Sequence, residues 1–141
     1  MKRHATAIWT GNLQEGRGSL TTQSGALSDK RYDFRTRFED EEGINGTNPE
    51  ELIAAAHAGC YAMQLSHFLA ENGTPAEKLD CTATVEVKPG EGIKRSALVL
   101  EADIPGIERE KFEELAEKAK KECPVSGALS AIEITLEAKL L

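Results

Sequence analysis

No CxxC pair occurs in the 141 residues, and there are only three cysteines, Cys60, Cys81 and Cys123. The missing pair excludes the common zinc and thioredoxin patterns, and an odd count does not match a secreted disulfide scaffold. Long hydrophobic runs are also lacking. The apolar stretch Leu52–Met63 falls well short of the ~20 residues that a membrane-spanning helix needs. Positive charge is in deficit: 17 Lys and Arg stand against 24 Asp and Glu, a net charge of −7, which argues against nucleic acids and anionic membranes as partners. Met1-Lys2-Arg3-His4 is basic, but Ala5-Thr6-Ala7-Ile8-Trp9-Thr10 follows where a signal peptide would carry an apolar region. No signal peptide is therefore expected, and the expected compartment is the cytoplasm. Neither an internal repeat nor a low-complexity tract is present. The length fits one domain, residues 1–141, able to bury about 68% of the surface its unfolded chain exposes.

What is present is organised around Thr47–Gly73. Asn48 suits an N-cap and Pro49 the first helical position, where its missing N–H costs nothing. Glu51 stands three residues past Asn48, as in a capping box, and Glu50 and Glu51 both favour the positive helix end. Gly73 fits the left-handed position that closes a helix. The spacing predicts one long helix, Pro49–Asn72. Its half from Leu52 to Met63 is apolar all round except at His57, as in a helix enclosed by protein.

Before it, alternation predicts strands at His4–Thr10, Ser19–Gln23 and Tyr32–Phe38, joined by short turns as in a meander. After it, Asp80–Lys88 places Cys81, Ala83, Val85 and Val87 on one face. Pro89-Gly90-Glu91-Gly92 turns the chain back into Ile93–Ile104. Glu108–Lys121 shows helical spacing in Phe112, Leu115, Ala116 and Ala119. Cys123-Pro124 opens a short second helix, and Ile132–Leu140 alternates as a last strand. The predicted order is βββ-α-ββ-αα-β, an α+β domain.

Three side chains could carry chemistry through sulfur. Cys60, in the apolar half of the long helix, reads either as a small core hydrophobe or as a nucleophile, and Cys81 reads as core. Cys123 precedes Pro124 at a helix start, where free N–H groups stabilise a thiolate. Two cysteines on separate helices admit a disulfide cycle, in which one sulfur is oxidised to a sulfenic acid and a second thiol condenses with it. Such a cycle calls for a cation beside the first sulfur, since an ordinary thiol ionises near ~8.5. Arg17, Arg35 and Arg37 are the candidates, and Arg37 lies closest in sequence to the long helix. His57 and Cys60, three apart, could also form half of a zinc site with Cys123, or His57 could pack and hydrogen-bond.

Three segments resemble the OsmC/Ohr family, in particular its OsmC branch. They are Phe34-Arg35-Thr36-Arg37-Phe38-Glu39, the run from Gly46-Thr47-Asn48-Pro49-Glu50-Glu51 to His57-Ala58-Gly59-Cys60, and Cys123-Pro124-Val125-Ser126. The element order extends the resemblance over nearly the whole chain. It implies antiparallel sheets wrapped around long central helices in an intertwined homodimer. It also implies thiol-dependent peroxidase activity, chiefly on organic hydroperoxides and less on hydrogen peroxide. By motif position Cys60 would be the peroxidatic cysteine, Cys123 the resolving one, and Arg37 with Glu50 the pair that polarises the site. The related Ohr branch takes its arginine from near the first turn, where Arg17 stands here. Cys81 matches no functional position. The resemblance implies no metal and no organic cofactor, and recycling by small or protein-bound dithiols, lipoyl groups being the best candidates for the Ohr branch. A contrasting interpretation is a non-catalytic module that binds an apolar small molecule at the dimer interface. Glu50 and Cys60 are ten positions apart on one helix, ~15 Å along its axis, so a glutamate serving Cys60 would come from a second, antiparallel helix.

Overall fold

Alternating side chains and two turns build the first sheet. In the computed structural model, which describes residues 1–141, β1 (Ala5–Thr10), β2 (Arg17–Thr22) and β3 (Lys30–Tyr32) form an antiparallel meander in the order β1-β2-β3. The β1–β2 turn is held by Asn12, whose side-chain oxygen accepts from the Gln14 and Glu15 N–H groups at 3.0 and 2.8 Å. Gly18 is a glycine for packing reasons. Any Cβ there would collide with the Tyr32 ring, which lies 5.5 Å from the Trp9 ring.

The expected third strand, Tyr32–Phe38, is corrected by the structure. Pairing stops at Tyr32, and Phe34–Phe38 is a short helix, α1. The cause is a reciprocal cap. The Thr36 N–H donates to Asp33 Oδ1 at 3.0 Å, and the Asp33 N–H donates to Thr36 Oγ1 at 2.9 Å. Two backbone donors are thereby satisfied at a helix start. Phe34 and Phe38, alternate in a strand reading, are also four apart, and their rings meet at 5.1 Å. The element order is accordingly βββ-αα-ββ-αα-β.

The long helix α2 (Pro49–Glu71) has the predicted ends. The Glu51 N–H donates to Asn48 Oδ1 at 2.8 Å, while the Glu51 carboxylate takes the Thr47 hydroxyl and does not close a capping box. At the far end Gly73 has φ +77°, the Thr74 N–H reaches Leu69 O and the Gly73 N–H reaches Ala70 O, a Schellman closure.

Two compact units divide the chain, Met1–Leu52 and Ile53–Leu141. In the second, β4 (Lys78–Lys88) and β5 (Gly92–Asp103) form an antiparallel hairpin with a bulge at Glu86/Val87. Next come α3 (Arg109–Glu122), α4 (Pro124–Ala128) and β6 (Glu133–Leu140). The sheet order is β4-β5-β6, and β6 runs parallel to β5, so this sheet is mixed where an antiparallel one was expected. The reason lies in the connection. Two helices between β5 and β6 form a crossover that returns the chain to the end where β5 began. The core joins Tyr61, Leu65, Phe68 and Leu69 of α2 to Leu98, Leu100 and Ala102 of β5 and to the expected apolar face of α3.

Burial of α2 is one-sided. Ala55, Ala56, Gly59 and Met63, which follow one another at helical spacing, are exposed, Met63 to 76%. The expected enclosure of Leu52–Met63 is incomplete within a single chain.

Candidate active site

Cys60 sits midway along α2. Cys123 ends α3 and begins α4 at once: its backbone is extended (φ −60°, ψ 123°), with its N–H bonded to Ala119 O and Pro124 at the next position. Cys123 is buried in the core against which the half-buried Cys60 packs, and both thiols are free. Burial pushes the Cys60 thiol above its ordinary value, and the neighbouring Cys123 thiol adds to the rise. The Val125 backbone N–H opposes the rise. Cys81 lies on β4 against the same core, pushed up to about 11 by burial and then by neighbouring Asp80.

One turn before Cys60, His57 is fully buried with both ring nitrogens engaged. Nδ1 lies 2.7 Å from Ser96 Oγ on β5 and Nε2 lies 2.8 Å from Ser126 Oγ on α4. Burial lowers its pKa, so the ring is held neutral. With both nitrogens committed to hydroxyls, no lone pair is left for a metal, which disfavours the zinc interpretation of His57, Cys60 and Cys123. The serines were not singled out from the sequence, although the spacing held a hint: His57 precedes Cys60 by three and Ser126 follows Cys123 by three.

The first unit contains the other predicted pair. Arg37, in the last turn of α1, meets Glu50, in the first turn of α2. Arg37 Nε donates to Oε1 and Oε2 at 3.2 Å each, and Nη2 donates to Oε1 at 2.7 Å. The Glu50 side chain is buried and that of Arg37 partly so, an arrangement that fixes the plane of the guanidinium. The other two candidate arginines lack this support. Arg35 is exposed and only 3.9 Å from Glu39, and Arg17 is exposed at the start of β2. Beside Arg37 is an apolar cleft of about 170 Å³ lined by Trp9, Leu13, Tyr32, Phe34, Phe38 and Pro49.

The second unit carries two free thiols in one core, and the first a carboxylate-anchored guanidinium beside an apolar cleft. The family described as OsmC-like protein matches residues 39–137. Peroxiredoxin OsmC of Escherichia coli (strain K12) is 46% identical over 137 residues, 95% of this chain and 93% of the relative. Organic hydroperoxide resistance protein OhrB of Bacillus subtilis (strain 168) is 28% identical over 124 residues, 86% and 89% of the two chains. Among solved structures, an organic hydroperoxide resistance protein OsmC of Legionella pneumophila matches with a TM-score of 0.67 at 26% identity, over 96% of each chain. An OsmC-like protein of Mycoplasma pneumoniae matches with a TM-score of 0.75 at 18% identity, over 100% of this chain and 98% of that one, a likeness of fold alone. The chain belongs to the OsmC-like family.

Proposed function

We propose that this protein is a cysteine-dependent peroxidase that reduces organic hydroperoxides, and hydrogen peroxide less well. The observation that carries the proposal is the packing of Cys60 against the core that holds Cys123, both of them free thiols. The Cys60 thiolate attacks the outer oxygen of ROOH. The O–O bond breaks, the alkoxide leaves and is protonated to ROH, and Cys60 becomes a sulfenic acid. The Cys123 sulfur then attacks the Cys60 sulfur, water departs, and a disulfide remains. An external dithiol, lipoyl-like by family resemblance, reduces it by exchange. No helix is long and apolar enough to cross a membrane, and a cytoplasmic setting suits a cycle that must return to free thiols.

In this proposal Arg37 supplies the cation that favours the thiolate and polarises the leaving oxygen, and Glu50 aims it. Ten positions of α2 separate Glu50 from Cys60, ~15 Å along the helix and about 80° around it. The Arg37–Glu50 pair of one chain therefore serves Cys60 of a second, in a homodimer where the two units act as one OsmC-like domain, residues 1–141, completed by its copy. The exposed stripe Ala55–Met63 supports such pairing, and the cleft beside Arg37 offers the alkyl tail about 0.8 kcal/mol per buried CH₂. Thiol titration before and after one equivalent of tert-butyl hydroperoxide tests the activity. Loss of two thiols per chain is expected. An unchanged titre, with the peroxide unconsumed, would favour the non-catalytic binding module.

A further inference from the structure

The peroxidase cycle leaves unexplained the buried chain Ser96–His57–Ser126. Its three side chains come from β5, α2 and α4, each at most 4% exposed, and their polar atoms are satisfied by one another. We propose that His57 is a positioning residue for disulfide formation: through Ser126 it holds α4, and with it Cys123, in register with Cys60. This inference rests on the assignment of Cys60 and Cys123 as the redox pair.

The geometry gives two links between the same two helices. One is the packing of Cys60 against the core that holds Cys123, and the other is His57 Nε2 with Ser126 Oγ, each partner displaced by three residues. Only the second survives oxidation of Cys60 unchanged. Helix α4 has five residues and includes Gly127, too short to hold its own shape without tertiary support. A disulfide demands Cβ atoms within ~3.5–4.5 Å, so a loosened α4 makes Cys60–SOH wait for Cys123. Ser96, on β5, satisfies the opposite ring nitrogen, while the hold on α4 runs through Nε2 and Ser126. A neutral ring donates from one nitrogen and accepts at the other, so the chain is complete without a charge. His57 is not the base in the cycle, because neither nitrogen is free to reach a sulfur.

Two amides separate this role from plain core stability. Glutamine places its amide near the former Nε2, within reach of Ser126. Asparagine places it near the former Nδ1, within reach of Ser96. In single turnovers with tert-butyl hydroperoxide, the step from sulfenic acid to disulfide, followed by competition with dimedone, should fall about tenfold in Ser126→Ala and His57→Asn, the order expected for one buried hydrogen bond. His57→Gln and Ser96→Ala should lose much less, even where their melting temperatures fall as far. A second measurement needs no peroxide: the equilibrium of the Cys60–Cys123 disulfide against dithiothreitol should show the same ranking. Equal losses in all folded variants, or none in Ser126→Ala, would overturn the positioning role. Wild-type protein that ignores peroxide yet keeps the dithiothreitol ranking would overturn the peroxidase proposal and leave the clamp standing. If the His57 variants do not fold, the comparison of Ser126→Ala with Ser96→Ala decides the matter alone.

Discussion

Cys60 carries a thiol whose surroundings partly oppose its proposed chemistry. Burial and the Cys123 thiol disfavour the thiolate, and within its own unit the Val125 amide favours it. Single-turnover consumption of hydroperoxide should therefore rise with pH as Cys60 ionises. Arg37→Ala should displace that profile to higher pH, because removing a cation leaves the thiolate less stabilised. An unmoved profile would remove Arg37 from the site. Cys60→Ser should reduce turnover to background, whereas Cys123→Ser should react once and then accumulate sulfinic acid on Cys60, read by mass spectrometry of the peptide. Efficient formation of a Cys60–Cys81 disulfide in that variant would name a different resolving thiol. His57 adds a stability signature. Its folded-state pKa lies below the ordinary 6.5, so the unfolded chain binds more protons between the two values and stability rises with pH across that window. Acidification from about 6.5 downward should lower the melting temperature, and His57→Gln should flatten that part of the curve.

At the scale of elements, α1 decides where the guanidinium stands. Tyr32–Phe38 satisfies both a two-residue and a four-residue apolar pattern, so periodicity alone could not choose between strand and helix. Asp33 and Thr36 made the choice through paired backbone hydrogen bonds. Asp33→Ala should cost about 1 kcal/mol in urea unfolding, the usual value of an N-cap. It should also cost activity, because Arg37 rides on the last turn of α1. Asp33→Asn keeps an acceptor and should restore most of both. The Asp33 carboxyl is held below its ordinary value by the Thr36 N–H first, against burial, with help from Arg31. Its contribution is therefore present above the unfolded value near 3.8 and lost as pH falls through the folded one, a loss that Asp33→Asn should abolish.

At the scale of the whole molecule, the central proposal is that one chain does not complete the site. Inactive Cys60→Ser chains mixed with inactive Glu50→Ala chains under exchange conditions should regain activity, since one site of the heterodimer has every residue intact. No recovery despite proven exchange would return Glu50 to a role within its own chain. Met63→Glu places a charge on the exposed apolar stripe of α2 and should shift the sedimentation coefficient toward the monomer, with activity lost in parallel. A monomeric wild-type mass at micromolar concentration would contradict the shared site.

The sequence by itself determined the ends of α2, the apolar faces of β5 and α3, the corner at Cys123-Pro124 and the identity of the family. Each of these is set by local chemistry: a cap, a proline, a glycine or a strict period. It also pointed to Arg37, Glu50, Cys60 and Cys123. What only the tertiary structure decided was which groups meet. The parallel pairing of β6 and the bridge from Ser96 through His57 to Ser126 join residues far apart along the chain. No short pattern can encode such meetings, because a buried hydroxyl or carboxylate is satisfied by whatever partner the packing brings within about 3 Å.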